Sequence, residues 1–287
     1  MIPPVFPAEV LNGLPDSAKM RNDHGVFHKR FLRPMAVGVL ALLITGSAYA
    51  GNAEQSYVPS AGHKAAWGYE GEGAPDKWGE LKPEFKMCGL GKFQSPVNIV
   101  PTLSADLPDL EFDYKDSPLE ILNNGHTVQV NFPEGSSLKV GGDSYHLLQL
   151  HFHTPSENAV NGRYYPMEMH LVHKTKDGVL GVLGVMIERG GPNAAAEKIW
   201  RRMPLGRAGP IAHRDVIVNA AELLPGDSRY YRFMGSLTTP PCTEGVNWHV
   251  LQEPIYFSQK QIEEFRRVFS MNARPVQPLN SRMVVSE

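Results

Sequence analysis

Gln149-Leu150-His151-Phe152-His153 is the stretch on which the chain turns, and Glu168-Met169-His170 answers it downstream. Successive side chains in a β-strand alternate faces, so His151 and His153 point one way and Leu150 and Phe152 the other. A third histidine, His170, on a neighbouring strand would complete a set of three ring nitrogens. Three neutral imidazoles with an open fourth position describe a catalytic zinc site better than a structural one. A metal-bound imidazole needs its second nitrogen held by an acceptor, which fixes tautomer and ring orientation. Gln149 and Glu168 each precede a candidate ligand by two residues, on the same face, and are placed to do this. Periodicity alone leaves the matter open, because H-x-H on a strand also arises by chance. His146 and His173 have the opposite parity to the candidate ligands and read as hydrogen-bonding or surface groups. His63, His213 and His249 have no identifiable partner, and His24 and His28 fall in the leader.

Outward from this stretch, most of the chain reads as strands. Residues 119–122 are a short strand ended by Asn123-Asn124-Gly125. Residues 126–132 alternate, with His126, Val128, Val130 and Phe132 on one face and Thr127, Gln129 and Asn131 on the other. Residues 137–140 run through Gly141-Gly142-Asp143, a hairpin signal, into 145–152. Residues 167–174 and 179–187 are joined by the tight turn Lys176-Asp177-Gly178. Residues 216–219 and 248–251 add strands. Two helices are expected: one over 194–202, capped by Asn193, and one starting at Ser258, where Gln261 makes a capping box. Ile262, Phe265 and Phe269 give the second helix an apolar stripe that reads as core. Many strands, few helices and closely spaced turns predict a mainly β (α+β) single domain.

The chain has 287 residues and a formal net charge of −2. That charge gives no electrostatic footprint for nucleic acid. His28, Lys29, Arg30 and Arg33 precede an apolar run over 35–49 that ends in Ala48-Tyr49-Ala50. A basic n-region, a short apolar run and an A-x-A pattern describe a cleaved secretory signal peptide. An uncleaved anchor or an internal helix is the alternative, although the run is short of the roughly 18–20 apolar residues of a membrane span. Met20 offers a second start, and Gly51, in place of Cys, gives no signal for lipid attachment. The expected organisation is a leader over 1–50, a flexible N-terminus over 51–66 and one folded domain over 67–287. The product is expected to be periplasmic or secreted, with no membrane anchor after cleavage. In an oxidising compartment Cys88 and Cys242 read as a disulfide rather than two free thiols.

Further motifs stand in order along the chain: Gln94-Ser95-Pro96-Val97-Asn98-Ile99, Asn123-Asn124-Gly125-His126, Gly235-Ser236-Leu237-Thr238-Thr239-Pro240-Pro241 and Gln277-Pro278-Leu279-Asn280. With Gln149–His153 and Glu168-Met169-His170-Leu171-Val172-His173, they resemble the α-class carbonic anhydrases, over nearly all of the chain from Trp67 to Asn280. His153-Thr154-Pro155-Ser156-Glu157 and the cysteine pair resemble the bacterial, exported branch. The resemblance implies a central twisted, mostly antiparallel sheet with a few peripheral helices. It also implies a Zn2+ cofactor and the reversible hydration of carbon dioxide by zinc-bound hydroxide. His151, His153 and His170 would be the ligands. Thr238 would accept a hydrogen bond from the hydroxide and pass its own proton to Glu157. Val172, Val182, Leu237, Thr239 and Trp248 would line the CO2 pocket; from composition alone they are ordinary core residues. His126 would be the proton shuttle, and Tyr69, Asn124 and Gln129 would hold its water chain. Asn272 and Arg274 match a structural stretch behind the site. Sulfonamide-type and anion inhibitors and a weak esterase side activity are expected on the same basis.

Three positions depart from the family pattern. Asn158 stands where relatives carry His, Gln129 replaces an Asn, and Ala273 stands where an aromatic is common. None touches a candidate ligand, Thr238 or Glu157, so they bear on turnover speed and inhibitor fit. Two functions compete with CO2 hydration. A non-catalytic module on the same fold is opposed by three intact ligand histidines and both acceptors. A dedicated ester hydrolase would need a broader, more polar cleft than Val172, Val182 and Leu237 offer.

Overall fold

A thirteen-stranded sheet carries the histidines, in a computed structural model that describes residues 66–287. Its main strands are β1 Ser117–Asn123, β2 Val128–Asn131, β3 Ser137–Val140, β4 Asp143–His153, β5 Met167–Lys174, β6 Leu180–Arg189, β7 Ala208–Val218, β8 Tyr230–Ser236 and β9 Glu244–Leu251. They lie in the order β7-β1-β2-β4-β5-β6-β9-β8, and Val285–Ser286 and Leu103–Ser104 continue the sheet beyond β8. Neighbours are antiparallel except for β6 with β9, β6 with Ile255–Phe257, and Val285–Ser286 with Leu103–Ser104. The mainly β, mostly antiparallel expectation therefore holds.

Alternation along the central strands divides two cores. Val128, Val130, Leu150, Phe152, Met169, Leu171, Leu183 and Val185 face one way. They are covered by helices α1 Ala194–Trp200 and α2 Gln259–Val268, which contribute Ala196, Ile199, Trp200, Ile262 and Phe265. Each large apolar side chain buried there stabilises the fold by about 1.5–3 kcal/mol. Both helices begin as their sequences require. Asn193 accepts the Ala196 N–H, and Ser258 and Gln261 form both halves of a capping box. Val172, Val182, Met186, Val246, Trp248 and Val250 form a second core on the other face, and the candidate ligands stand on that face.

Two parity expectations fail for identifiable reasons. In β4, Leu147 pairs with His173 but Gln149 pairs with Val172, leaving Leu148 as a bulge. One extra residue reverses the alternation. Tyr145 and Leu147 are thus buried together with Leu150 and Phe152, and His146 falls on the same face as His151, farther along the strand. His173 does lie on the opposite face, buried, with Nε2 2.8 Å from the Tyr114 hydroxyl. The second failure concerns His126, because β2 begins only at Val128. Asn124 Oδ1 accepts the N–H groups of His126 and Thr127, and Gly125 has φ +90°, so a turn precedes the strand. Strand alternation therefore says nothing about where His126 points.

β7 and β9 start earlier than expected, and β8 was not expected at all, since its burial follows no clean alternation. The disulfide forms, with Cα atoms 5.1 Å apart. The leader over 1–50 and all but Ala66 of the segment 51–66 lie outside the described residues. Among the described residues no helix is long and apolar enough to cross a membrane.

Candidate metal centre

Strand register builds the site in transverse rows, because residues paired across strands share a face. One row reads Gln129, His151, His170, Gly184 and Val250 across β2, β4, β5, β6 and β9. The next reads Asn131, Gln149, Val172, Val182, Trp248 and Phe233. A third pairs His153 with Glu168 and Glu168 with Met186. Two candidate ligands are thus cross-strand neighbours, the third is two residues along one strand, and an apolar row lies alongside.

His151, His153 and His170 each offer a ligand atom, all within 4.8 Å of one another. The second ring nitrogens are taken up. His151 Nδ1 lies 2.8 Å from Gln149 Oε1, and His153 Nδ1 lies 2.8 Å from the Asn272 carbonyl oxygen. His170 Nε2 lies 2.9 Å from Glu168 Oε1, close but bent away from a well-aligned hydrogen bond. His151 Nε2, His153 Nε2 and His170 Nδ1 are left to face one another. Burial holds all three imidazoles below their ordinary pKa, with His151 and His170 well below it. They are therefore neutral, as metal ligation requires. His153 Nε2 is buried with no aligned hydrogen-bond partner, a costly state for a polar atom unless something is bound there. Neutral nitrogen donors, an orphaned nitrogen and held ring orientations together fit zinc.

Glu168 is held from several directions. Its Oε2 accepts the N–H groups of Glu157 and Asn158, and its Oε1 accepts Asn158 Nδ2, each at 2.8 Å. Asn158, the departure from the family's His, fills its place as a neutral donor, while its Oδ1 accepts the Val97 N–H. Gly184 leaves room for this carboxylate, since a Cβ there would stand 3.1 Å from Glu168 Oε1.

Glu157 sits beneath the ligands, with Oε2 3.4 Å from His153 Nε2 and 3.9 Å from His170 Nδ1. Its Oε1 accepts the Arg274 N–H at 2.8 Å. Burial pushes its pKa up to about 8, and the Arg274 N–H and the Thr238 hydroxyl pull against that rise. Thr238 thus reaches this carboxylate, although Oε2 has no well-aligned partner. A cation among the imidazoles would further favour the charged carboxylate. The Thr238 loop is fastened by Leu237 N–H to Thr243 O, by Gln94 Nε2 to Cys242 O and by the disulfide.

Val172, Val182 and Trp248 are buried side by side, with the Trp248 ring 4.9 Å from that of His170. Leu237 and Thr239 are only partly buried. Tyr69 makes edge contacts with Trp67 and Trp78; burial, and then the charge of Glu157, raises its pKa well above the ordinary value. Gln129 Nε2 donates to Asn131 Oδ1, and Asn124 is engaged in the turn before His126. The half-buried His126 ring stacks on Trp67, with centroids 3.5 Å apart. Three contributors escape sequence reasoning: the Asn272 carbonyl, the Asn158 amide and the space at Gly184. The sequence marks Asn158 as a departure from the family pattern and Asn272 as part of a structural stretch, but not the bonds they make, and Gly184 becomes meaningful only once its cross-strand partners are known.

Residues 73–287 match the family model described as eukaryotic-type carbonic anhydrase. A carbonic anhydrase of Neisseria gonorrhoeae is 46% identical over 258 residues, spanning 89% of this chain and 99% of that protein. The α-carbonic anhydrase from Thermovibrio ammonificans, solved in complex with sulfanilamide, is 44% identical with a TM-score of 0.74, covering 77% of this chain and 99% of that one. Dioscorin complexed with ascorbate is 31% identical with a TM-score of 0.72, covering 77% and 98% of the two chains. The chain belongs to the α-class, eukaryotic-type carbonic anhydrase family. It is accordingly an enzyme of the carbonic anhydrase class, a lyase.

Proposed function

We propose that this chain catalyses zinc-dependent, reversible hydration of carbon dioxide to bicarbonate and a proton, with the folded domain over 67–287 acting after export to the periplasm or beyond the cell. The observation that carries this reading is the convergence of three ring nitrogens whose partner nitrogens are held, beside the apolar row Val172, Val182 and Trp248. His151, His153 and His170 would hold a zinc ion, which when bound would supply hydroxide by lowering the pKa of a water to about 7, a value that belongs to carbonic anhydrases as a class and not to this geometry.

Thr238 accepts a hydrogen bond from the nucleophilic oxygen and donates its own proton to Glu157. This gate admits a nucleophile that carries a proton to donate and turns its lone pair toward carbon. Arg274 keeps Glu157 in place through its backbone N–H. Carbon dioxide is apolar and offers no charge to grip, so Val172, Val182, Leu237, Thr239 and Trp248 hold it by shape beside the nucleophile. His126 carries the released proton outward, with Tyr69, Asn124 and Gln129 ordering the water between. An imidazole suits this task because both of its protonation states are populated near neutrality. Burial, and then the charge of Arg207, holds His126 below its ordinary pKa, which keeps it ready to accept a proton at pH 7. Sulfonamide and anion inhibitors bind at the same centre, and activated esters are slow alternative substrates.

His126→Ala tests the shuttle. Turnover in weak buffer is expected to fall about 100-fold, within the range of general acid–base effects, and added imidazole buffer restores it. A loss that imidazole does not restore would refute the shuttle role.

A further inference from the structure

Asn272 is fully buried and makes five hydrogen bonds. Two use its backbone: its N–H donates to Thr154 O, and its carbonyl accepts from His153 Nδ1. Any residue but proline at 272 supplies those. Three use the side chain. Oδ1 accepts the Thr154 N–H at 2.7 Å, and Nδ2 donates to Phe152 O at 2.9 Å and to His126 O at 3.0 Å. One N–H and two carbonyls leave a single orientation for the amide. Asp lacks the donors, and Gln is longer by one methylene.

The bond to His126 O reaches the turn that precedes β2, where pairing between β2 and β4 has not yet begun and where Thr127 Oγ1 also donates to Phe152 O at 2.6 Å. His126 lies outside β2, on the turn made by Asn124 and Gly125. Its ring rests on Trp67, from a segment far away in sequence. Asn272 ties the backbone of that turn to Phe152 and Thr154, which flank the ligand His153. We infer that the Asn272 side chain is a positioning residue for proton transfer, locking the turn that carries His126 to the end of the strand that carries His153. This rests on the reading of His126 as the shuttle. The transfer distance then depends on this buried amide together with the Thr127 hydroxyl bond to Phe152 O, and a misplacement of about 1 Å in a reacting geometry costs up to about 100-fold.

The experiment is a double-mutant cycle on zinc-loaded protein, with CO2 hydration followed by stopped flow in weak buffer and in saturating imidazole. Asn272→Ala is expected to lower kcat in weak buffer about tenfold and kcat/KM no more than about threefold. Imidazole restores kcat, and zinc stoichiometry stays native because the carbonyl to His153 Nδ1 remains. Placed on His126→Ala, the same substitution causes no further weak-buffer loss, since it acts through His126. Asn272→Ser, which sets no charge against the His126 and Phe152 carbonyls, carries the same cycle if the alanine variant does not fold. An equal loss in both backgrounds, or kcat and kcat/KM falling together, overturns the inference. His126→Ala alone, unrescued by imidazole, would instead sink the shuttle reading beneath it.

Discussion

Gly184→Ala presses on the candidate metal centre without touching a candidate ligand. Gly184 pairs with His170 across β5 and β6. A Cβ there would stand 3.1 Å from Glu168 Oε1 and 3.2 Å from Val250 Cγ2. Relaxed heavy-atom contacts lie at about 3.5–4.0 Å, so roughly half an ångström must be found. Val250 is fully buried. The carboxylate is held by three N–H donors, each at 2.8 Å, and its Oε1 is the atom both nearest the new Cβ and 2.9 Å from His170 Nε2, so any shift of it is felt by that ring. Overpacking costs about 1–3 kcal/mol, and replacing glycine returns about 0.4–1 kcal/mol through the unfolded chain. A net loss of roughly 1–2 kcal/mol follows. Loosening the acceptor behind a ligating imidazole costs about 10–100-fold in metal affinity; a shifted rather than deleted carboxylate belongs at about tenfold. Gly181→Ala is the control. It lies on the same strand but the other face, where its Cβ would meet the Tyr145 ring at 3.0 Å. It is expected to cost comparable stability and leave zinc affinity intact. Urea unfolding and competition with a chromophoric chelator measure the two effects separately. Native zinc affinity in Gly184→Ala, or equal affinity losses in both variants, would refute the reasoning.

Asn158→Ala removes a hydrogen bond to a charged carboxylate and leaves the Val97 N–H without its acceptor; a loss of about 2–4 kcal/mol is expected in urea unfolding. Arg207→Gln removes the positive charge that, after burial, lowers the pKa of His126. The pH midpoint of kcat in weak buffer should then move upward while that of kcat/KM stays, as pH–rate profiles would show. Burial holds the pKa of His173 at about 3 and that of His249 at about 4, below the ordinary histidine value of about 6.5. Both must stay neutral in the folded chain, so their contribution is complete above about pH 6.5 and is lost as pH falls toward about 4. His249→Gln should accordingly show a smaller fall in urea midpoint than the native chain between pH 7 and pH 4.5.

The legible parts of this molecule are those written in local periodicity. His151, His153, Gln149 and Glu168 are readable because strand alternation places them before any partner strand is known. The caps at Asn193 and Ser258 are readable because a capping box spans only a few residues. The bulge at Leu148 leaves no mark in the sequence, and it puts His146 on the face that alternation denies it. β8 is obscure because residue type does not track burial there: Gly235 and Ser236 are buried while Met234 is exposed. The acceptor for His153 is the carbonyl of Asn272, more than a hundred residues downstream, and every residue owns a carbonyl. Side-chain chemistry thus appears early, whereas backbone partners and the space left by a glycine appear only with the register.

CO2 hydration by the purified chain, followed before and after verified removal of zinc, is the most direct measurement. Activity should vanish with the metal and return on stoichiometric zinc, and His151→Ala or His170→Ala should neither hold the metal nor recover. Hydration that continued at its original rate in metal-free protein would contradict a reaction centred on His151, His153 and His170.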